Sequence, residues 1–80
     1  MTPTPFDSTE PLRMAVLGAG NIGKVHIQSA RAMDDVDLVA VADAVADNRA
    51  YARRVGVPAV YDDYANLLRT EPLDAVVGRV

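Results

Sequence analysis

Gly18, Gly20 and Gly23, in the run Gly18-Ala19-Gly20-Asn21-Ile22-Gly23, are the residues of this 80-residue sequence whose spacing could do chemistry. Glycine brings no functional group. It lets main-chain N–H groups come close to a ligand, and a helix opening there adds unpaired N–H groups and its positive dipole end. That is the chemistry of holding phosphate. A lone G-x-G-x-x-G is weak, because glycine is common. Here it follows the apolar run Met14-Ala15-Val16-Leu17 and opens a helix-compatible segment, and Asp43 closes a second apolar run 20 residues past Gly23. Those are the contextual requirements of the dinucleotide-binding fingerprint. Gly18 would make the tight turn out of the strand, Gly20 would let a pyrophosphate approach the backbone, and Gly23 would let helix and strand pack closely. The expected cofactor-binding residues are therefore Gly18, Ala19, Gly20, Asn21, Ile22 and Gly23 on the phosphates, with Asp43 accepting both adenosine ribose hydroxyls. A competing and compatible role for Asp43 is to cap a helix starting at Ala44.

Asp43 also bears on which cofactor binds. Two unit charges 4 Å apart repel by about 4 kcal/mol at an effective dielectric of about 20, so a 2′-phosphate beside Asp43 needs a compensating arginine. Ala44 and Val45 follow it, and the nearest arginine, Arg49, is six residues on. NAD is expected over NADP. His26, the single histidine, falls on the expected inner stripe of the first helix and reads as a packed side chain rather than an acid–base group. Lys24, the single lysine, falls on the outer side. Asp34, Asp35 and Asp37 read as a solvated loop, with too few oxygen ligands in one place for a metal. No catalytic constellation is visible.

The elements that must position these residues follow from hydrophobic period. Leu12 to Leu17 suits a strand covered on both faces. Ile22, Val25, His26, Ala30 and Met33 recur at helical spacing, which predicts an amphipathic helix over Asn21 to Met33. Val36 to Ala42 is a second buried strand. Ala44 to Val55 is helix-compatible, with Ala46, Ala50 and Tyr51 inward and Arg49, Arg53 and Arg54 outward; Gly56 and Pro58 follow as stop signals. Ala59 to Tyr61 is a short third strand. Asp62 or Asp63 can cap a brief helix with Tyr64, Leu67 and Leu68 inward, and a fourth strand begins at Asp74 to Val77. The alternation predicts an α/β fold: a partial Rossmann unit, doubly wound and parallel, with strand order 3-2-1-4 and right-handed crossovers. Residues 1–11, rich in proline and threonine, read as a disordered tail, and residues 12–80 as the domain. The open edge of the fourth strand invites self-association into a homo-oligomer.

Composition sets the outer bounds. Half the residues are hydrophobic and 24% charged, as in ordinary globular chains. A net charge of -3 without a basic patch argues against nucleic acid or anionic membrane as partner. There is no cysteine, which excludes disulfides and thiolate metal sites. No apolar run resembles a signal peptide or a membrane span, so a cytoplasmic location is expected.

The stretches MAVLGAGNIGKVHIQSA, LVAVADAVADNRA, GVPAVYDDYANLL and EPLDAVV, in this order and spacing, resemble the N-terminal domain of the glucose-fructose oxidoreductase/inositol dehydrogenase/rhizopine-catabolism (Gfo/Idh/MocA) family. The resemblance runs from Arg13 to Val77, and His26 matches a histidine frequent in that helix. It implies an NAD(P)-dependent oxidoreductase acting on a sugar, cyclitol or related hydroxy compound. It also implies that a lysine of a Glu-Lys-Pro motif, with an aspartate and a histidine of a following domain, does the chemistry. None of those positions occurs in these 80 residues, so the chain alone is expected to be inactive. Gly78-Arg79-Val80 departs from the family's usual valine-rich continuation into Ala/Thr-Pro, and the chain reads as a truncated member. The alternatives are a non-catalytic nucleotide-sensing module of the same half-fold, or an inactive truncated gene product.

Overall fold

The computed structural model describes residues 11–78; the expected tail lies, apart from Pro11, outside the described residues. Seven elements alternate as the hydrophobic period requires: β1 (Leu12–Leu17), α1 (Asn21–Ala32), β2 (Val36–Ala42), α2 (Ala46–Arg54), β3 (Ala59–Tyr61), α3 (Tyr64–Thr70) and β4 (Ala75–Gly78). The strands form one sheet in the order β3-β2-β1-β4, and every neighbouring pair is parallel. Parallel strands joined by helices need cover on both faces. Leu38 to Ala42 are accordingly buried without a break. One face packs Val16, Leu38 and Val41 against Ile27, Ala30 and Ala52 of α1 and α2. The other packs Leu17, Val39 and Ala42 against Leu67 of α3. A one-residue register shift between Met14 and Ala15 skips Val39 in the pairing, which puts both Val39 and Ala40 on the α3 side.

The strands match the expected runs within one residue. The helix faces do not. In α1 the buried residues are Ile27 and Ala30, while Ile22 and Val25 are 64% and 59% exposed and Met33 lies past the helix end, exposed. The inner face is set by Gly23, half-buried, whose missing side chain brings the helix onto β1, so the face toward the sheet runs 23, 27, 30 at i, i+4 and i+7. A stripe drawn through the larger apolar residues passes over Ile27, whose burial contributes about 1.5–3 kcal/mol. In α2 the core position is Ala52; Ala46 and Ala50 are exposed, Tyr51 is half-buried, and Arg49 turns back rather than outward. That helix starts at Ala46, two residues later than expected, because the Asp43 carboxylate holds the intervening turn. It ends with the Gly56 N–H on the Arg53 carbonyl and the Val57 N–H on the Ala52 carbonyl, both 3.1 Å, the paired bonds of a Schellman stop. In α3 Asp63 is the cap, accepting from the Ala65 N–H at 3.1 Å, and Leu68 is 49% exposed rather than inward.

Candidate dinucleotide site

The glycine run leaves β1 at Leu17 and enters α1 at Asn21. Gly18 has φ +96°, which L side chains rarely adopt, and its N–H donates to the Ala42 carbonyl at 2.7 Å, tying the loop to the end of β2. A Cβ at position 23 would overlap the Gly18 carbonyl, so only glycine lets α1 start this close to the strand. Gly20 differs from both. Its φ of -72° is open to any residue, and a Cβ built there meets nothing within 4 Å. The protein's own packing does not require glycine at position 20; a ligand pressed against the backbone would.

Gly20 is the N-cap of α1 and supplies no side-chain bond to the first-turn N–H groups, and no acid sits in that turn. The positive end of the helix is therefore uncompensated, as an anion site needs. A groove of about 450 Å³ opens there, lined by Leu17, Gly18, Gly20, Asn21, Ile22, Gly23, His26 and Gly78. It lies at the carboxyl ends of β1 and β4, where the strand order reverses and open α/β sheets bind ligands. An open Gly20 position, uncapped N–H groups and a turn free of acid together fit a pyrophosphate. His26 is half-buried and lines this groove; it is not part of the core. It follows Gly23 by three residues, so periodicity counted from the glycine would have placed it there. Gly78, whose Cβ would overlap the Leu17 carbonyl, forms the β4 wall and had no such signal.

Asp43 is 8% exposed at the end of β2. Its Oδ2 accepts from the Ala19 N–H at 2.7 Å and from Asn48 Nδ2 at 3.1 Å, while Oδ1 accepts from the Val45 N–H at 2.8 Å. It therefore staples the glycine loop to the β2–α2 turn; Val45, not Asp43, is the N-cap of α2. Two carboxylate oxygens have about four lone-pair sites, and three are taken, which leaves one on Oδ1 for a ribose hydroxyl. Burial works against its charge, but the N–H groups of Ala19 and Val45, the Asn48 amide and the Arg49 charge outweigh it and hold the carboxyl below its ordinary 3.8. A folded value below the unfolded one means this stabilisation is complete above the unfolded value and is lost as pH falls through the folded one. Acid titration followed by circular dichroism should show stability falling below about pH 4, and Asp43→Asn should flatten that part of the curve.

Arg49 lies far from the glycine run along the chain, and the turn before α2 returns it to the site. Its Nη1 donates to the Asp43 carbonyl at 3.0 Å and the Ala44 carbonyl at 2.9 Å. Sequence distance therefore does not decide between NAD and NADP. Asp34, Asp35 and Asp37 are exposed, and no group of three or more His, Cys, Asp or Glu among the described residues could hold a metal ion. No helix among the described residues is long and apolar enough to cross a membrane.

The Gfo/Idh/MocA model, described as an oxidoreductase family with an NAD-binding Rossmann fold, matches residues 12–77. The chain belongs to this family. A myo-inositol 2-dehydrogenase of Thermotoga maritima is 33% identical over 67 residues, which are 82% of this chain and 20% of that protein. The crystal structure of a myo-inositol 2-dehydrogenase from Lactobacillus plantarum superposes with a TM-score of 0.81 at 29% identity, over 89% of this chain and 22% of that one. A probable dehydrogenase from Thermotoga maritima gives 0.75 at 34% identity, over 84% of this chain and 20% of that one. The chain thus spans about a fifth of the length of these Gfo/Idh/MocA relatives.

Proposed function

We propose that this Gfo/Idh/MocA chain is the cofactor-binding part of an NAD-dependent oxidoreductase that acts on the CH–OH group of a cyclitol, sugar or related polyol. It holds NAD through the loop Gly18, Ala19, Gly20, Asn21, Ile22 and Gly23 and through Asp43. The observation that carries this reading is Gly20: a glycine at an ordinary φ, in open space, under an uncapped helix end. The N–H groups at the start of α1 take the pyrophosphate, and the free lone pair on Asp43 Oδ1 takes a ribose hydroxyl. Bound there, NAD would supply the hydride acceptor for oxidation of the substrate CH–OH group. The family match supports the oxidoreductase class, and the two myo-inositol 2-dehydrogenases support a polyol as substrate.

These contacts all belong to the adenosine–pyrophosphate half of NAD. The 80-residue chain is therefore expected to bind NAD on the order of millimolar, worth about 4 kcal/mol, and AMP nearly as well. Gly20→Ser separates binding from folding. Serine is a better N-cap than alanine and as good as glycine, so stability should hold or rise. Its hydroxymethyl group fills the cradle, and NAD affinity should fall at least tenfold by titration calorimetry. Unchanged NAD affinity in Gly20→Ser would remove the phosphate site from the glycine loop.

A further inference from the structure

We propose that His26 is a binding residue of this site: its imidazolium pairs with the pyrophosphate on the β4 side of α1, so that dinucleotide binding tightens as pH falls. The inference rests on the dinucleotide reading above and adds a residue and a pH dependence to it. His26 follows Ile22 by one turn, and the two line the groove together with Gly78 at the end of β4. Helical side chains lean toward the helix N-terminus, so the ring points back along α1 toward the uncapped first turn. His26 is half-buried, no described residue hydrogen-bonds its ring, and no buried side-chain nitrogen among the described residues lacks a partner. Its ring nitrogens therefore open on the groove.

Among the described residues, nothing else on this side of the helix competes for the anion or the proton. The other residues lining the groove carry no ionisable side chain, and neither does β4. Lys24 and Arg31, the cations of α1, lie on the α2 side: Lys24 Nζ is 5.0 Å from the centroid of the Tyr51 ring, and Arg31 reaches Gly56. The acids Asp43 and Asp47 stand at the end of β2 and in the first turn of α2, outside the groove lining. The Tyr64 hydroxyl approaches Gly18 from α3 and is also outside it. Imidazole is the side chain that gains its charge between about pH 5 and 8. A neighbouring anion favours the charged ring, and the charged ring in turn holds the anion more tightly, two sides of one linkage. Bound pyrophosphate therefore raises the midpoint of the ring's titration. Affinity is highest below the free midpoint and falls as pH rises through the bound one.

His26 is the single histidine of the chain, so its ring Hε1 resonance follows the proton directly and without catalysis. NAD is the probe, because its pyrophosphate keeps its charge across this range, whereas a phosphate monoester such as AMP titrates near about pH 6 itself. Saturating NAD should raise the midpoint of the Hε1 titration by at least about half a pH unit, which is about threefold in affinity between the two protonation states. NAD should accordingly bind at least twofold tighter at about pH 5.5 than at about pH 8, and His26→Gln should bind it equally at both. A midpoint that NAD leaves in place while the amides of Gly18 to Gly23 shift overturns the proposal alone, as does a pH dependence that His26→Gln retains. Absence of those amide shifts overturns the dinucleotide reading, and the proposal with it.

Discussion

Gly23→Ala is expected to lower the melting temperature of this chain further than any single surface change. The Cβ would overlap the carbonyl of Gly18, and both partners are backbone, so no side chain can swing away. Overpacking typically costs about 1–3 kcal/mol, and a clash between two fixed main-chain positions falls at the upper end or above it; for a domain of this size each kcal/mol is about 4–8 °C. An 80-residue domain has total stability of roughly 4–12 kcal/mol at ordinary per-residue values, so a large share goes at once. The substitution also pushes α1 off β1, taking the helix N–H groups away from the loop that aims them. Thermal denaturation by circular dichroism should show a drop of about 12 °C or more. A drop under about 4 °C, less than 1 kcal/mol, would mean the close approach of α1 and β1 does not depend on the missing Cβ.

Asp43→Ala is the second large effect, and it strikes two functions together. It removes the acceptor of the Ala19 and Val45 N–H groups and of the Asn48 amide. Ala19 is fully buried, so its N–H is left without water as well as without a partner. Hydrogen bonds to charged groups contribute about 1.5–3 kcal/mol each and an orphaned buried donor costs about 1–3, so a net loss of about 2–4 kcal/mol is expected. AMP and NAD should both weaken at least tenfold, since the ribose acceptor and the loop's anchor go together. Asp43→Asn sharpens the test. An asparagine oxygen can serve either Val45 or Ala19 and Asn48, but not both sides, so it should recover part of the stability. Full recovery in Asp43→Asn would mean that charge contributes nothing at this site.

The contrast between these two positions and the helix faces shows what a single sequence can carry. The strands are legible because parallel sheets bury both faces, and a run such as Leu38 to Ala42 suits a doubly covered strand far better than a solvated one. Gly18 and Gly23 are legible because each answers a backbone demand that spacing encodes. The face of α1 is not, because residue size misleads: Ile22 and Val25 look like core and are exposed, while Gly23, which the expected stripe leaves out, sets the packing. Arg49 escapes the sequence for a related reason. Six residues along the chain become 3.0 Å in space, because the Asp43 carboxylate holds a turn from which α2 doubles back. Side-chain bonds of that sort leave no period to read. For Asp43 itself, spacing points to a ribose acceptor or a cap. Its three protein bonds make it first a staple of the glycine loop, with one lone pair left over.

The most direct measurement of the site is an amide-resolved NMR titration of the 80-residue chain with NAD and with AMP. Both ligands should shift the amides of Gly18 to Gly23 and of Asp43 to Val45 most, with similar dissociation constants on the order of millimolar. The amides at the amino end of β1 and on the outer side of α3, away from the groove, should move least. Shifts centred elsewhere, or none at ligand concentrations well above millimolar, would contradict the assignment of this loop and Asp43 as a dinucleotide site.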